Sequence, residues 1–144
     1  MIIVADTSAL YAAFDASQPE HKAAALVLDT ESLVISPLVV TELDHLVHRD
    51  LGFGAAMQVM SALTDRMADG QYRFAELKYA DLVTAHEVRL KYDGLRLDLA
   101  DGVGVVLADR HRTNRIFTLD QRDYRAITPL TPGLDSFRIL PADL

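Results

Sequence analysis

Apolar residues arrive along this chain in two rhythms. Short unbroken runs, IIVA at 2–5, LVIS at 33–36, RIFTL at 115–119 and FRIL at 137–140, have the length and two-sided apolarity of strands inside a parallel sheet. A shorter run, YRF at 72–74, is a fifth candidate. Between these runs the spacing turns helical. One helix is predicted from Ser8 to about Asp15, and a second after Pro19, with Ala23, Leu26 and Val27 in phase. Pro37 suits the first turn of a third, in which Val39, Leu43, Leu46 and Val47 form one stripe. Gly52 and Gly54 separate it from a long helix over about 55–68, where Met57, Met60, Leu63 and Met67 share a side. Asp81 is expected to cap a helix running through His86 and Leu90 to Asp93-Gly94, and a further helix covers about 99–112. Strands alternating with helices define an α/β protein with a mainly parallel sheet. No repeat, low-complexity tract or linker interrupts residues 1–144, so a single domain is expected.

Composition narrows the chemistry. A chain of 144 residues, half of them hydrophobic, can bury roughly 68–70% of its unfolded surface. Cysteine is absent, which excludes disulfides, thiolate metal sites and a cysteine nucleophile. The amino end lacks the charged segment of a signal peptide and no apolar run approaches ~18 residues, so a soluble, cytoplasmic protein with no membrane partner is expected. Asp and Glu outnumber Lys and Arg by 21 to 14, giving a formal charge of −7 that disfavours broad, nonspecific nucleic-acid binding. The charge is uneven, however. Residues 109–125 (DRHRTNRIFTLDQRDYR) carry five arginines against three aspartates.

The acids fall at telling places. Asp6 follows the strand IIVA and Asp120 follows RIFTL, so two strands deliver a carboxylate to the carboxyl edge of the sheet, where α/β proteins build their sites. Glu42 lies about one turn into the helix begun by Pro37, and Asp98 and Asp101 are three apart around a helix start. Each has an ordinary alternative: Asp6 and Asp98 as helix caps, Glu42 as a solvated helix residue, Asp120 as the start of a turn DQRD. If the acids converge, like charges raise one another's pKa values unless a cation stands among them. Oxygen-only ligands favour Mg²⁺ or Mn²⁺ over zinc. The five histidines, His21, His45, His48, His86 and His111, form no base-and-nucleophile pattern and read as surface or structural residues.

Four segments together resemble the PIN-domain ribonucleases, in particular VapC-type toxins of toxin–antitoxin pairs: VADTSAL, VVTELDHLV, LDLADGVGVVLADR and TLDQRDY, in order and across nearly the whole chain. The resemblance implies a three-layer α/β/α sandwich and an Mg²⁺- or Mn²⁺-dependent endoribonuclease. It implies a quartet of catalytic, metal-binding acids, Asp6, Glu42, Asp101 and Asp120. Thr7 or Ser8 would orient Asp6 or a water, while Asp98 and Asp123 would support the site. It also implies an RNA substrate, a homodimer and a small cognate antitoxin, for which the methionine stripe at 57–67 is a candidate surface beside the simpler reading of core packing. Arg110, Arg112, Arg115, Arg122 and Arg125 are candidates for RNA-backbone contacts, because guanidinium groups grip phosphates bidentately.

The sequence departs from the family pattern at Gly102 and Gly104, which follow the third acid and weaken a helix by roughly 1 kcal/mol each relative to alanine. They imply either close approach by a neighbour or a relaxed site. In the second case the chain would be a PIN-like RNA- or protein-binding module with little or no turnover. Two other acidic α/β sites fit poorly. A receiver domain needs a late lysine, and Lys91 is the last one; a haloacid-dehalogenase-like phosphatase needs a second aspartate two residues after the first, where Ser8 stands.

Overall fold

Val4 points to one side of the central sheet while Ile3 and Ala5 point to the other, and every neighbouring strand repeats this alternation. The computed structural model describes residues 2–144. Its strands are β1 (Ile2–Ala5), β2 (Ser32–Ile35), β3 (Tyr72–Phe74), β4 (Arg115–Phe117) and β5 (Arg138–Leu140). They form one all-parallel sheet in the order β3-β2-β1-β4-β5, with Val4 paired to Ile116 and Ala5 to Phe117 at its centre. Leu33, Ile35, Phe117 and Leu140 join Ile3 on one face; Val34, Ile116 and Ile139 join Val4 on the other. Apolar side chains on both faces require a cover on both.

Helices α1 (Thr7–Phe14), α2 (His21–Thr30), α3 (Pro37–Leu51) and α4 (Phe53–Ala68) cover the Ile3 face through Leu10, Val27, Leu43 and Leu63. Helices α5 (Tyr79–Lys91), α6 (Leu99–Arg110) and α7 (Gln121–Ala126) cover the Val4 face through Ala85, Val88, Leu107 and Tyr124. The α/β/α arrangement expected from the sequence is thereby formed. Helix α6 is buried from Gly102 to Ala108, which accounts for the apolar run VGVVLA having no polar face. Gly102 fits because a Cβ there would stand 2.9 Å from the Ala85 carbonyl oxygen; Gly104 fits because a Cβ would stand 2.9 Å from the Tyr124 hydroxyl. Both glycines therefore serve close packing of α6 against α5 and α7.

Several boundaries differ from expectation for local reasons. Helix α5 starts at Tyr79 because Asp81 is its third residue, and reaches back to accept the Lys78 N–H at 2.9 Å. Strand β4 closes at Phe117, so Asp120 stands three residues beyond it, and the segment read as a turn is the short helix α7. Along the methionine stripe, Leu63 is buried, Met60 and Met67 are half-buried and Met57 is exposed. Met60, Leu63 and Met67 line a groove of about 290 Å³ with Val40, Thr64 and Phe74. No helix among the described residues is long and apolar enough to cross a membrane.

Candidate metal centre

The carboxyl edge of β1 and β4 gathers the acids. Asp6 extends the pairing of these strands, its N–H donating to the Phe117 carbonyl at 2.8 Å. It occupies the N-cap position of α1, yet its side chain caps nothing. Instead Asp6 Oδ2 accepts the Thr118 hydroxyl at 2.7 Å and the Ser8 hydroxyl at 3.2 Å. Ser8 Oγ in turn accepts the Leu119 N–H at 3.0 Å, tying the start of α1 to the chain leaving β4.

Asp98 and Asp120 do act as caps. Asp98 Oδ1 accepts the Asp101 N–H at 2.9 Å at the start of α6, and Asp120 Oδ1 accepts the Asp123 N–H at 3.1 Å at the start of α7. Two helix N-termini thus open onto the same place and carry Asp101 and Asp123 in their first turns. One oxygen each from Asp101, Asp120 and Asp123 lies within 4.8 Å of the others. Asp123, expected only as support, belongs to this tightest group and is buried; its Oδ1 also accepts Arg122 Nε at 3.1 Å.

The electrostatics extend the cluster to the other acids. Burial, then the charges of Asp6 and Asp98, push Asp101 up to about 8. Asp6 is raised chiefly by burial, with the Thr118 hydrogen bond opposing. Asp120 is raised by burial and by neighbouring Asp123 and Asp6. Glu42 is exposed on α3 and outside the tight group of acids; desolvation, then the charges of Asp98 and Asp6, raise its pKa. Thr7 Oγ1 is buried and satisfies no hydrogen bond, although it stands close enough to Glu42 to favour its ionised form.

A hard divalent cation fits this donor set. All candidate ligands are oxygens, three of them are close enough to share one ion, and their crowding disfavours ionisation without a counter-charge. The unpartnered Thr7 hydroxyl is a further oxygen beside the acids. Asp101 and Asp123 leave helix N-termini, whose positive dipole ends partly offset the negative charge.

The five arginines do not act as a group. Arg122 alone touches the cluster. Arg110 pairs with Asp81 and the Glu76 carbonyl, at the opposite end of α6 from Asp101. Arg115 begins β4 and pairs with Glu31, which precedes β2, so it lies at the amino edge of the sheet. Arg112 stands in the turn before that edge, and Arg125 pairs with Asp143 at 2.6 Å. The sequence distance from an acid was a poor guide, because α6 and β4 carry their two ends to opposite sides of the molecule.

Two residues given no role by the sequence stand out. Thr118 binds Asp6 through its hydroxyl and accepts the Asp120 N–H at 3.0 Å. The available signal was a hydroxyl ending an otherwise apolar strand run. Tyr124 is fully buried in α7, and burial first, then the charges of Asp6, Asp101, Asp98 and Asp120, hold its hydroxyl well above its usual pKa. The pairing with Gly104 was invisible without coordinates.

The fold is an all-parallel α/β/α sandwich that carries acids at the carboxyl edge of its sheet, Asp6 after β1, Asp101 in the first turn of α6 and Asp120 between β4 and α7. The PIN domain family model matches residues 3–128, and the chain belongs to that family. Ribonuclease VapC26 of Mycobacterium tuberculosis is 40% identical over 141 residues, covering 96% of this chain and 100% of that protein. Two solved structures share the fold. VapC20 of Mycobacterium tuberculosis, a toxin that cleaves the sarcin-ricin loop, superposes with a TM-score of 0.73 at 18% identity, covering 85% of this chain and 92% of that one. VapBC2 of Rickettsia felis, bound to a promoter DNA fragment, superposes with a TM-score of 0.64 at 17% identity, covering 96% and 98%.

Proposed function

We propose that this chain is the toxin of a toxin–antitoxin pair, a metal-dependent endoribonuclease that hydrolyses RNA phosphodiester bonds at the carboxylate cluster. The observation that carries the reading is the meeting of Asp6, Asp101, Asp120 and Asp123 in one field, within a chain related end to end to ribonuclease VapC26. It acts in the cytoplasm as one domain, residues 1–144, forms a homodimer, and is restrained by a small antitoxin.

The ligands in this scheme are Asp6, Asp101 and Asp120, with Asp123 beside them and Glu42 at the rim; the ion is Mg²⁺ or Mn²⁺. Bound there, it supplies Lewis-acid polarisation of a phosphate and a water of lowered pKa. Thr118 and Ser8 hold Asp6 in a single orientation, leaving Oδ1 without a bond to either hydroxyl. Asp98 fixes the first turn of α6 and hence the direction of Asp101. Burial and crowding raise Asp101 to about 8, so Asp101 would hold a proton near neutral pH and would give it up to a cation bound there. Arg122 offers the guanidinium nearest the cluster for the RNA backbone.

The binding-module alternative rested on Gly102 and Gly104 as marks of a relaxed site. Their close contacts with Ala85 and Tyr124 give them a packing role, so they no longer favour it. The test is cleavage of bulk RNA by purified protein with added Mg²⁺ or Mn²⁺, with cut ends mapped. Wild type is expected to cut, EDTA to abolish cutting, and Asp6→Asn to reduce it about 100-fold or more with the fold intact. Metal-dependent cutting at the wild-type rate by Asp6→Asn contradicts the scheme.

A further inference from the structure

Arg89 on α5 and Arg96 in the connection from α5 to α6 are two arginines that the acidic centre does not use. Arg89 leaves α5 and donates its Nε–H to the Leu97 carbonyl at 2.9 Å. It passes beside Gly102, where a Cβ would stand 3.3 Å from Arg89 Cγ, so the missing side chain makes room for it. No carboxylate pairs with Arg89 among the described residues. Arg96 adopts the left-handed conformation at φ 56°, which is unfavourable to a residue with a Cβ. Its side chain is 83% exposed, and its nearest carboxylate is Asp93 at 4.0 Å.

Arg89 and Arg96, with His86, Leu90, Asp93 and Leu97, line an open cavity of about 240 Å³. In a protein of net charge −7, a concavity with two weakly neutralised guanidiniums and one carboxylate selects an oxyanion. Its location suggests which one. Arg96 and Asp98 are two residues apart, at most about 7 Å along the chain. Arg122 bridges the two places, its Nη2 donating to the Leu95 carbonyl at 3.4 Å and its Nε to Asp123 at 3.1 Å.

We propose that this cavity is a phosphate subsite for the RNA strand, in which Arg89 and Arg96 hold a backbone phosphodiester next to the one at the carboxylates. The identity of the ligand rests on the ribonuclease reading; the oxyanion site itself does not. Arg89 is pinned by Leu97 with its two Nη groups left to bind, while Arg96 closes over the anion from solvent. Asp93 gives up only a 4.0 Å contact when Arg96 turns to the phosphate.

Two measurements test the subsite. Inorganic phosphate titrated into the metal-free protein should shift the Arg89 Nε–H resonance saturably, and the shift should be lost in Arg96→Gln. Fluorescence anisotropy with a labelled single-stranded RNA in EDTA should show about tenfold weaker binding by Arg96→Gln. The slope of log affinity against log salt should flatten by about 0.7. Arg96→Gly should lose binding equally; glycine suits the backbone there, so misfolding cannot account for that loss. Arg73→Gln, which removes the same charge from exposed β3, should bind as wild type does. Wild-type RNA affinity in both Arg96 variants overturns the proposal, and so does a phosphate shift at Arg89 unaccompanied by any change in RNA affinity, the mark of a free-anion site. If RNA is cleaved while the Arg96 variants bind normally, the subsite fails and the ribonuclease reading stands. If the variants lose RNA binding but no metal supports cleavage, the subsite stands and the ribonuclease reading fails.

Discussion

The Thr118 hydroxyl donates to Asp6 Oδ2 at 2.7 Å and accepts the Asp120 N–H at 3.0 Å, so one side chain ties the Asp6 carboxylate to the backbone of Asp120. Thr118→Val keeps the shape and removes both bonds. Metal affinity by titration calorimetry is expected to fall 10- to 100-fold, and stability by about 1–2 kcal/mol, because the half-buried partners lose their bonds. Unchanged metal binding would mean that Asp6 does not need this support.

Gly104 and Tyr124 are expected to be coupled. A Cβ at 104 meets the Tyr124 hydroxyl at 2.9 Å, inside the core. Gly104→Ala should destabilise the protein by roughly 1–3 kcal/mol despite alanine's better helix propensity. Adding Tyr124→Phe removes the offending oxygen and should restore part of that loss. Additive effects in urea unfolding of the double variant would refute the contact.

Charge crowding predicts an unusual pH dependence. Below about pH 4 the Asp101 carboxyl is protonated in both folded and unfolded chains and has no effect. Above that, the unfolded chain ionises while the folded one keeps its proton until about 8, so stability falls as pH rises. His111, held below its usual 6.5 chiefly by burial, opposes this only at lower pH, which leaves pH 7–8 as the clean window. In EDTA, unfolding free energy should drop across that window, and Asp101→Asn should remove the drop. Mg²⁺ or Mn²⁺ should stabilise the wild type more at pH 8 than at pH 7. A metal-free stability that rises there contradicts the crowded site.

Asp98 has two separable roles. It caps α6, and its charge helps raise Asp101 and Glu42. Asparagine is an equally good cap, so Asp98→Asn should leave stability nearly unchanged while lowering the Asp101 pKa, read by carboxyl NMR titration. Asp98→Ala should lose about 1 kcal/mol as well. An unmoved Asp101 titration in Asp98→Asn would show that the two carboxylates do not interact.

The succession of strands along the chain and the helical stripes were readable because buried strands and amphipathic helices leave distinct periodicities. Asp6 and Asp120 were legible as site residues because parallel strands end on one edge. What periodicity cannot convey is lateral contact. Asp123 looked peripheral until α7 formed, since a six-residue helix leaves too short a pattern to separate from a turn. Gly102 and Gly104 allow two readings in sequence, close approach by a neighbour or a relaxed site, and only the fold decides for the first, because the atoms that need their space, on Ala85 and Tyr124, are distant along the chain. The arginines of 109–125 looked like one patch because the run crosses the whole molecule, from the far end of α6 through the amino edge of β4 and back.

The most direct test is a crystal soaked in Mn²⁺ and measured for anomalous scattering. A peak within coordinating distance of Asp101, Asp120 and Asp6 oxygens is the expected result. A protein that takes up no Mn²⁺ there at pH 8, or binds it only elsewhere on the surface, contradicts the metal centre and the chemistry assigned to it.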